Sequence, residues 1–125
     1  PLPAAHDEAL RATAHPIPIC ADESAHDRDG LSKLIGKYDA INVKLDKTGG
    51  LTEMLATADA ANQAGLGVMI GCMLATSLAM APAMLAASKA SVVDLDGPLL
   101  LARDRDPGIT FEGSIMMPPP PQLWG

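Results

Sequence analysis

Apolar residues along this chain gather into short runs of strand length. The runs start at Ile17 (IPIC), Ile41 (INVKL), Val68 (VMIGC) and Val92 (VVDL), at spacings of 24, 27 and 24 residues. A repeat of that size is one strand with one helical connection. Between the runs the apolar positions take a helical period. Asp27 or Asp29 can cap a helix through Leu31 to Lys37, with Leu31, Leu34 and Ile35 on one face. Thr52 can cap another through Leu55, Ala58 and Ala61, entered by a Gly49-Gly50 turn and stopped by Gly65 and Gly67. A shorter helix, about Asp7 to Ala14, precedes the first run and ends before Pro16. Apolar strands joined by helix-length connections imply parallel pairing with right-handed crossovers.

One window competes with this reading. No charge occurs between Asp59 and Lys89, and those 29 residues are long enough to cross a bilayer. Gly65, Gly67, Gly71, Pro82, the polar Asn62-Gln63 pair and an excess of alanine argue against insertion. The window divides better into a buried strand, Val68 to Cys72, and a buried helix, about Ala75 to Ser88. The tail from Pro98 holds a Gly-Ile-Thr-Phe-Glu-Gly stretch that suits a short strand or hairpin. It ends in Pro118 to Pro121, which should continue neither sheet nor helix.

Four units of this kind fit either a small open doubly wound sheet or half of an eight-fold barrel. In a barrel, chemistry sits at the carboxyl end of every strand; in an open sheet it gathers at one switch point. The ends here read Asp22-Glu23-Ser24, Lys44-Leu45-Asp46-Lys47, Cys72-Met73-Leu74 and Asp94-Leu95-Asp96. Charged groups at three of the four ends favour the barrel.

Composition narrows the partners. With 9 Lys and Arg against 15 Asp and Glu, the net charge of −6 argues against nucleic acid and anionic membrane surfaces, which need clustered cations. A hydrophobic content of 48% with 19% charged residues belongs to a chain that folds around a core. Only Tyr38, Phe111 and Trp124 are aromatic, so that core must be built from Ala, Leu, Ile, Val and Met. No signal-peptide pattern opens the chain, and Cys20 and Cys72 form no C-x-x-C pair. A reducing cytoplasm is the expected compartment.

Several residues could carry chemistry. Asp22-Glu23 lies where the first strand leaves the core, as a helix cap or turn, or as a ligand for a hard cation such as Mg2+. Lys44 alternates with Ile41, Val43 and Leu45 in a run that otherwise reads as buried. Burial and a nearby metal both penalise an ammonium, which is what lets a lysine accept a proton. The alternative is that it snorkels to water at the strand's end. Lys47, beyond the strand, reads as a surface or loop cation. Asp94 and Asp96 share one side of an extended segment with Leu95 opposite, and two such carboxylates repel unless a metal or a ligand ammonium neutralises them. His6, His15 and His26 show no zinc spacing and read as surface residues. No G-x-S-x-G, P-loop or G-x-G-x-x-G occurs.

Four motifs in order, A-D-E-S (Ala21 to Ser24), I-N-V-K-L-D-K-T-G-G-L (Ile41 to Leu51), G-C-M-L-A-T-S (Gly71 to Ser77) and D-L-D-G-P (Asp94 to Pro98), resemble the enolase superfamily. Within it they are similar to the dipeptide epimerases, the L-Ala-D/L-Glu epimerases in particular. The resemblance implies an N-terminal capping domain and a modified TIM barrel. Residues 1–125 would be the C-terminal half of that barrel, strands five to eight, with a short tail. The capping domain and the first barrel strands would precede Pro1. By position, Asp22 would be the third carboxylate ligand of Mg2+ and Lys44 the acid/base lysine of the sixth strand. Asp94 and Asp96 would receive the dipeptide's ammonium, Cys72, Met73 and Leu74 would line the substrate pocket, and Glu23 would support the metal ligand from behind.

The implied reaction is a 1,1-proton transfer: Mg2+ stabilises an enediolate while one lysine removes the α-proton and a second returns it on the other face. The second lysine and two more metal carboxylates would lie upstream, so these residues alone are expected to be inactive. A homo-oligomeric parent is compatible with all of this. Two alternatives stand beside it. One is another reaction of the superfamily: o-succinylbenzoate synthase, muconate-type cycloisomerase or N-acylamino-acid racemase. The other is a non-catalytic half-barrel whose open edges pair with another half.

Overall fold

The computed structural model describes residues 2–124. Each apolar run supplies one strand: β1 (Cys20–Ala21), β2 (Ala40–Lys44), β3 (Gly67–Gly71) and β4 (Val92–Val93). They pair in parallel in the order β1-β2-β3-β4, with Ala21 opposite Ile41, Ile41 opposite Val68 and Ile70 opposite Val93. The order follows the chain and never reverses, so the sheet lacks the switch point of a doubly wound fold. Right-handed crossovers between strands laid down in sequence put the connections on one face. This is the α/β half-barrel that the strand ends favoured.

The helical connections are α1 (Leu45–Thr48), α2 (Leu51–Gln63) and α3 (Ser77–Ala86), and α4 (Pro121–Trp124) closes the tail. Ala21, Ile41, Val43, Val68 and Ile70 form one buried cluster with Met54, Ala58 and Ala61 of α2 and Met80 and Ala83 of α3. The alanines supply the small helix surface that lets two helices sit close to each other and to the sheet. The uncharged window splits at its glycines into β3 and α3, and among the described residues no helix is long and apolar enough to cross a membrane.

Several boundaries differ from the sequence reading. β1 is only Cys20–Ala21 because Pro16 and Pro18 have no N–H for a ladder, and Ile17 is exposed. The two segments flanking β1 are 3-10 turns, over 4–12 and 28–33, with Asp27 capping the second by accepting from the Gly30 amide at 3.1 Å. Gly50 precedes α2, so Thr52 lies inside its first turn and caps nothing. Val92 and Val93 are exposed, because β4 has a neighbour on one side only. Pro121, expected to continue no helix, starts α4, where its missing N–H is not needed. The Gly-Ile-Thr-Phe-Glu-Gly stretch does form a hairpin, β5 (Phe111–Glu112) with β6 (Ile115–Met116).

Two polar ties hold the periphery. Asp104 accepts from the Ser77 amide at 3.0 Å and from its hydroxyl, capping α3 from the tail, while Ser77 Oγ accepts from the Ile109 amide at 2.9 Å. At the other end Asp7 is buried against Lys37, whose Nζ lies 2.7 Å from Oδ1; Ser24 Oγ and Tyr38 Oη donate to Oδ2 at 2.7 and 3.0 Å. The Lys37 hydrogen bond, then that of Ser24, hold the Asp7 carboxyl down from 3.8 to about 2 against the opposing effect of burial. The unfolded chain therefore takes up this proton first as pH falls. Asp7 contributes about 2 kcal/mol in full above pH ~4 and loses it as pH falls through about 2. Urea midpoints measured from pH 5 to pH 2 should show this component, and Asp7→Asn should lack it.

Candidate active site

Asp22 follows β1 directly, and the period of two turns it to the face away from α2 and α3. The ladder that sets Ala21 beside Ile41 brings Asp22 level with Asn42, and Lys44 is level with Gly71. One step past the Ile70–Val93 pair, the next residue of the fourth strand's run is Asp94. The sheet's open face thus carries Asp22, Asn42, Lys44 and Asp94 around a glycine.

The contacts tighten this row. Lys44 Nζ donates to Asp22 Oδ2 at 3.0 Å, and Asn42 Nδ2 donates to the same oxygen at 3.3 Å. Lys47 Nζ donates to Asp22 Oδ1 at 2.6 Å and to the Asp22 carbonyl at 2.7 Å. The reading of Lys47 as a surface cation is therefore overturned. α1 is a single turn begun at the strand's end and stopped by Gly49 at φ 74, and three residues along it Lys47 returns to the side of Lys44. The lysine side chains are only 12% and 11% exposed, whereas that of Asp22 is 41% exposed. Partial burial pushes the Asp22 carboxyl up, but the hydrogen bonds of Lys47 and then Lys44 outweigh it and hold the group below its ordinary value. Lys44 does not snorkel into solvent; it faces a carboxylate.

Asn42 and Gly71, which the sequence reading passed over, make the arrangement possible. Asn42 is buried and lies across β3, where a Cβ on Gly71 would overlap Oδ1 and come within 2.8 Å of Nδ2 and 3.0 Å of Cγ. Asn42 Oδ1 is itself buried without a partner. Alternation with Ile41 and Val43 could have marked Asn42 as an inward polar residue. Nothing in the sequence marked Gly71 as its counterpart.

Glu23 is exposed and reaches Lys47 at 3.8 Å. At the other end of the row, Leu95 is buried while Asp94 and Asp96 are exposed. Cys72, Met73 and Leu74 leave β3 beside them, with Met73 and Leu74 exposed. Gly97 seals the two loops together: a Cβ there would stand 2.8 Å from the Met73 carbonyl and 3.3 Å from Ala75 N and O. Burial, then nearby Asp96 and Asp94, push the Cys72 thiol up, with the Gly97 amide and Lys44 acting oppositely. That thiol is within electrostatic reach of both ends of the row. Asp94 and Asp96 also line a cavity of about 490 Å³ with Met84, Leu99, Phe111 and Met116; Asp22 and Lys44 do not line it.

Asp22 suits a hard cation, being a carboxylate whose side chain is open to solvent on one side and oriented on the other. Among the described residues no three Asp, Glu, His or Cys side chains gather as a metal cage. Asp22 fits such an ion as one ligand of a site that other residues must complete.

The chain belongs to the enolase C-terminal domain-like family, whose profile matches residues 1–120. It is 51% identical over its whole length to an N-acetyl-D-glutamate racemase of Pseudoalteromonas sp, covering 40% of that protein. It is 52% identical over 111 residues to the L-Ala-D/L-Glu epimerase of Escherichia coli (strain K12), covering 89% of this chain and 35% of that one. Among solved structures, an enolase family member from Agrobacterium tumefaciens with homology to dipeptide epimerases, holding sodium and L-Ala-L-Glu, superposes at TM-score 0.97. It is 57% identical and the match covers 100% of this chain and 38% of that chain. A dipeptide epimerase from Cytophaga hutchinsonii, complexed with Mg and D-Ala-L-Val, superposes at TM-score 0.85, at 30% identity over 94% of this chain and 34% of that one. The chain spans between about a third and two-fifths of the length of these relatives.

The pairing of Asn42 with Gly71 gives a direct test. Gly71→Ala should destabilise the protein by about 1–3 kcal/mol, as overpacking at a buried position does. Adding Asn42→Ala should recover most of that loss, so the double variant should cost less than the two single variants together when measured by urea denaturation.

Proposed function

We propose that this chain is the C-terminal barrel half of an isomerase that epimerises dipeptides such as L-Ala-D/L-Glu by 1,1-proton transfer through an enediolate. The observation that carries the reading is the pairing of Lys44 with Asp22 on a face that ends at Asp94 and Asp96. Lys44 removes the α-proton, or returns it, on one face of the substrate. Inversion requires a second acid/base on the other face, and we assign that group, with further metal carboxylates, to a preceding half of the barrel and its capping domain. Asp22 would hold the cation as one of its ligands. A divalent ion such as Mg2+ supplies positive charge against the substrate carboxylate as its α-proton leaves. Asp94 and Asp96 receive the dipeptide's free ammonium, whose single positive charge offsets the repulsion between the two carboxylates. Cys72, Met73 and Leu74 line the side-chain pocket, and Glu23 steadies the Asp22 corner through Lys47. We place the enzyme in the cytoplasm.

A second reading within the same chemistry is racemisation of an N-acylated glutamate, which the likeness to the N-acetyl-D-glutamate racemase favours. Such a substrate has no free ammonium and gives Asp94 and Asp96 nothing to neutralise. The two readings separate in D2O with Mg2+ present. The complete enzyme should exchange the α-proton of the glutamate in L-Ala-L-Glu, followed by proton NMR. Lys44→Ala should slow that exchange by about 10²–10⁴-fold, the usual contribution of an acid/base group. Asp96→Ala should raise KM for the dipeptide while leaving any N-acetylglutamate exchange unchanged. Full dipeptide activity in Asp96→Ala, with N-acetylglutamate the better substrate, would overturn the dipeptide reading. Residues 1–125 alone should show no exchange.

A further inference from the structure

We propose that Asp7, which belongs to none of the four motifs, is a positioning residue for the loop that carries Asp22 and acts on it through Ser24. The proposal rests on Asp22 being a cation ligand.

The loop after β1 is a tight turn, closed by the Ala25 amide donating to the Asp22 carbonyl at 2.9 Å. Lys47 donates to that same carbonyl at 2.7 Å, so the height of Asp22 is set by its own turn as much as by its side chain. Besides the lysines at Asp22, the turn is tied to the body of the protein by Ser24, whose hydroxyl donates to Asp7 Oδ2 at 2.7 Å and lies 3.2 Å from Tyr38 Oη. Beyond this contact the turn faces open space. A cavity of about 550 Å³ is lined by Glu23, Ser24 and His26 on one side and by Asp7, Lys33 and Lys37 on the other. Ala25 at the turn's end packs into the core, and toward the cavity the Ser24 hydrogen bond is the contact that holds the turn.

Asp7 is suited to the task because it cannot drift. Its other oxygen is 2.7 Å from Lys37 Nζ, both side chains are buried, and moving either would strand a charge out of water. A buried ion pair is a poor source of stability and a good fixed post. The chain runs from that post on the segment before β1, through Ser24, to Asp22 at the mouth of the sheet, joining three stretches that are distant in sequence.

Two variants of the complete enzyme separate positioning from simple stability. Ser24→Ala and Tyr38→Phe each remove one hydroxyl donor from Asp7 Oδ2, but only Ser24 belongs to the loop. Hydrogen exchange at the Ala25 amide and calorimetric titration with Mg2+ are the two readouts. Ser24→Ala should speed Ala25 exchange by about tenfold or more and weaken Mg2+ binding by about tenfold, at the low end for groups behind a metal ligand. Ser24→Thr should restore both, and Tyr38→Phe should leave both within about twofold. Unchanged Mg2+ affinity in Ser24→Ala, even with faster exchange, would reduce the contact to a structural tie and overturn the proposal. So would an equal effect from Tyr38→Phe. Failure of the unmodified enzyme to bind Mg2+ overturns the reading of Asp22 and this proposal together, and is seen without any variant.

Discussion

Everything at the mouth of this sheet depends on the register between β1, β2 and β3. A slip of one residue would turn Ile41 and Val43 to the open face and drive Asn42 and Lys44 among Met54, Ala58 and Ala61. The apolar half of each strand, burying itself against α2 and α3, therefore decides where the polar half stands. Magnitudes agree with that order of cause. Asp22 is too exposed for its lysine pairs to contribute more than about 0–1 kcal/mol each. Breaking the buried Asp7–Lys37 pair costs about 3–5 kcal/mol, and each large side chain removed from the core a comparable amount. The site is laid over a fold held by other contacts, and its ion pairs set direction rather than stability.

Small residues do the corresponding work between loops. Gly71 leaves room for Asn42 to cross β3 and reach Asp22; Gly97 lets the Asp94–Asp96 segment lie directly on the Met73–Ala75 backbone. Each replaces a side-chain contact by a backbone approach, which has fewer alternative arrangements. Groups from three strands are thereby kept in fixed relation without bulky aromatic packing, in a chain that has three aromatic residues in all.

Much of this was legible in the sequence. The four apolar runs give the four strands, and Asp22, Lys44, Asp94 and Asp96 stand at the strand ends that the runs imply. What the sequence did not carry is reach across elements. Lys47 reads as solvated because period two ends with β2, yet one helical turn brings it back to Asp22. Thr52 looks like a cap because it precedes an amphipathic stretch, but Gly50, at φ 140, takes the cap position and the helix starts two residues earlier. Asp7, in a short polar helix, gives no sign of burial at all. Its partners lie 17, 30 and 31 residues away, and only the folded chain brings them together.

The one-sided burial of the sheet also bears on chemistry. On the face that carries Lys44 and Asp22, Asn42 and Lys44 are largely covered while Asp22 is 41% exposed, and β4 leaves Val92 and Val93 bare at the edge. An ion pair with its carboxylate open to water on one side is partly screened there, even though the lysines themselves are largely buried. Enclosing the same groups strengthens every charge interaction among them and removes competing water. The residues here supply an oriented lysine–carboxylate pair and its supports; enclosure of that face would supply the low dielectric in which the orientation counts. Orientation is set within this chain, since Asn42, Lys44 and Lys47 all reach the Asp22 carboxylate; its exposure to water is what enclosure would change.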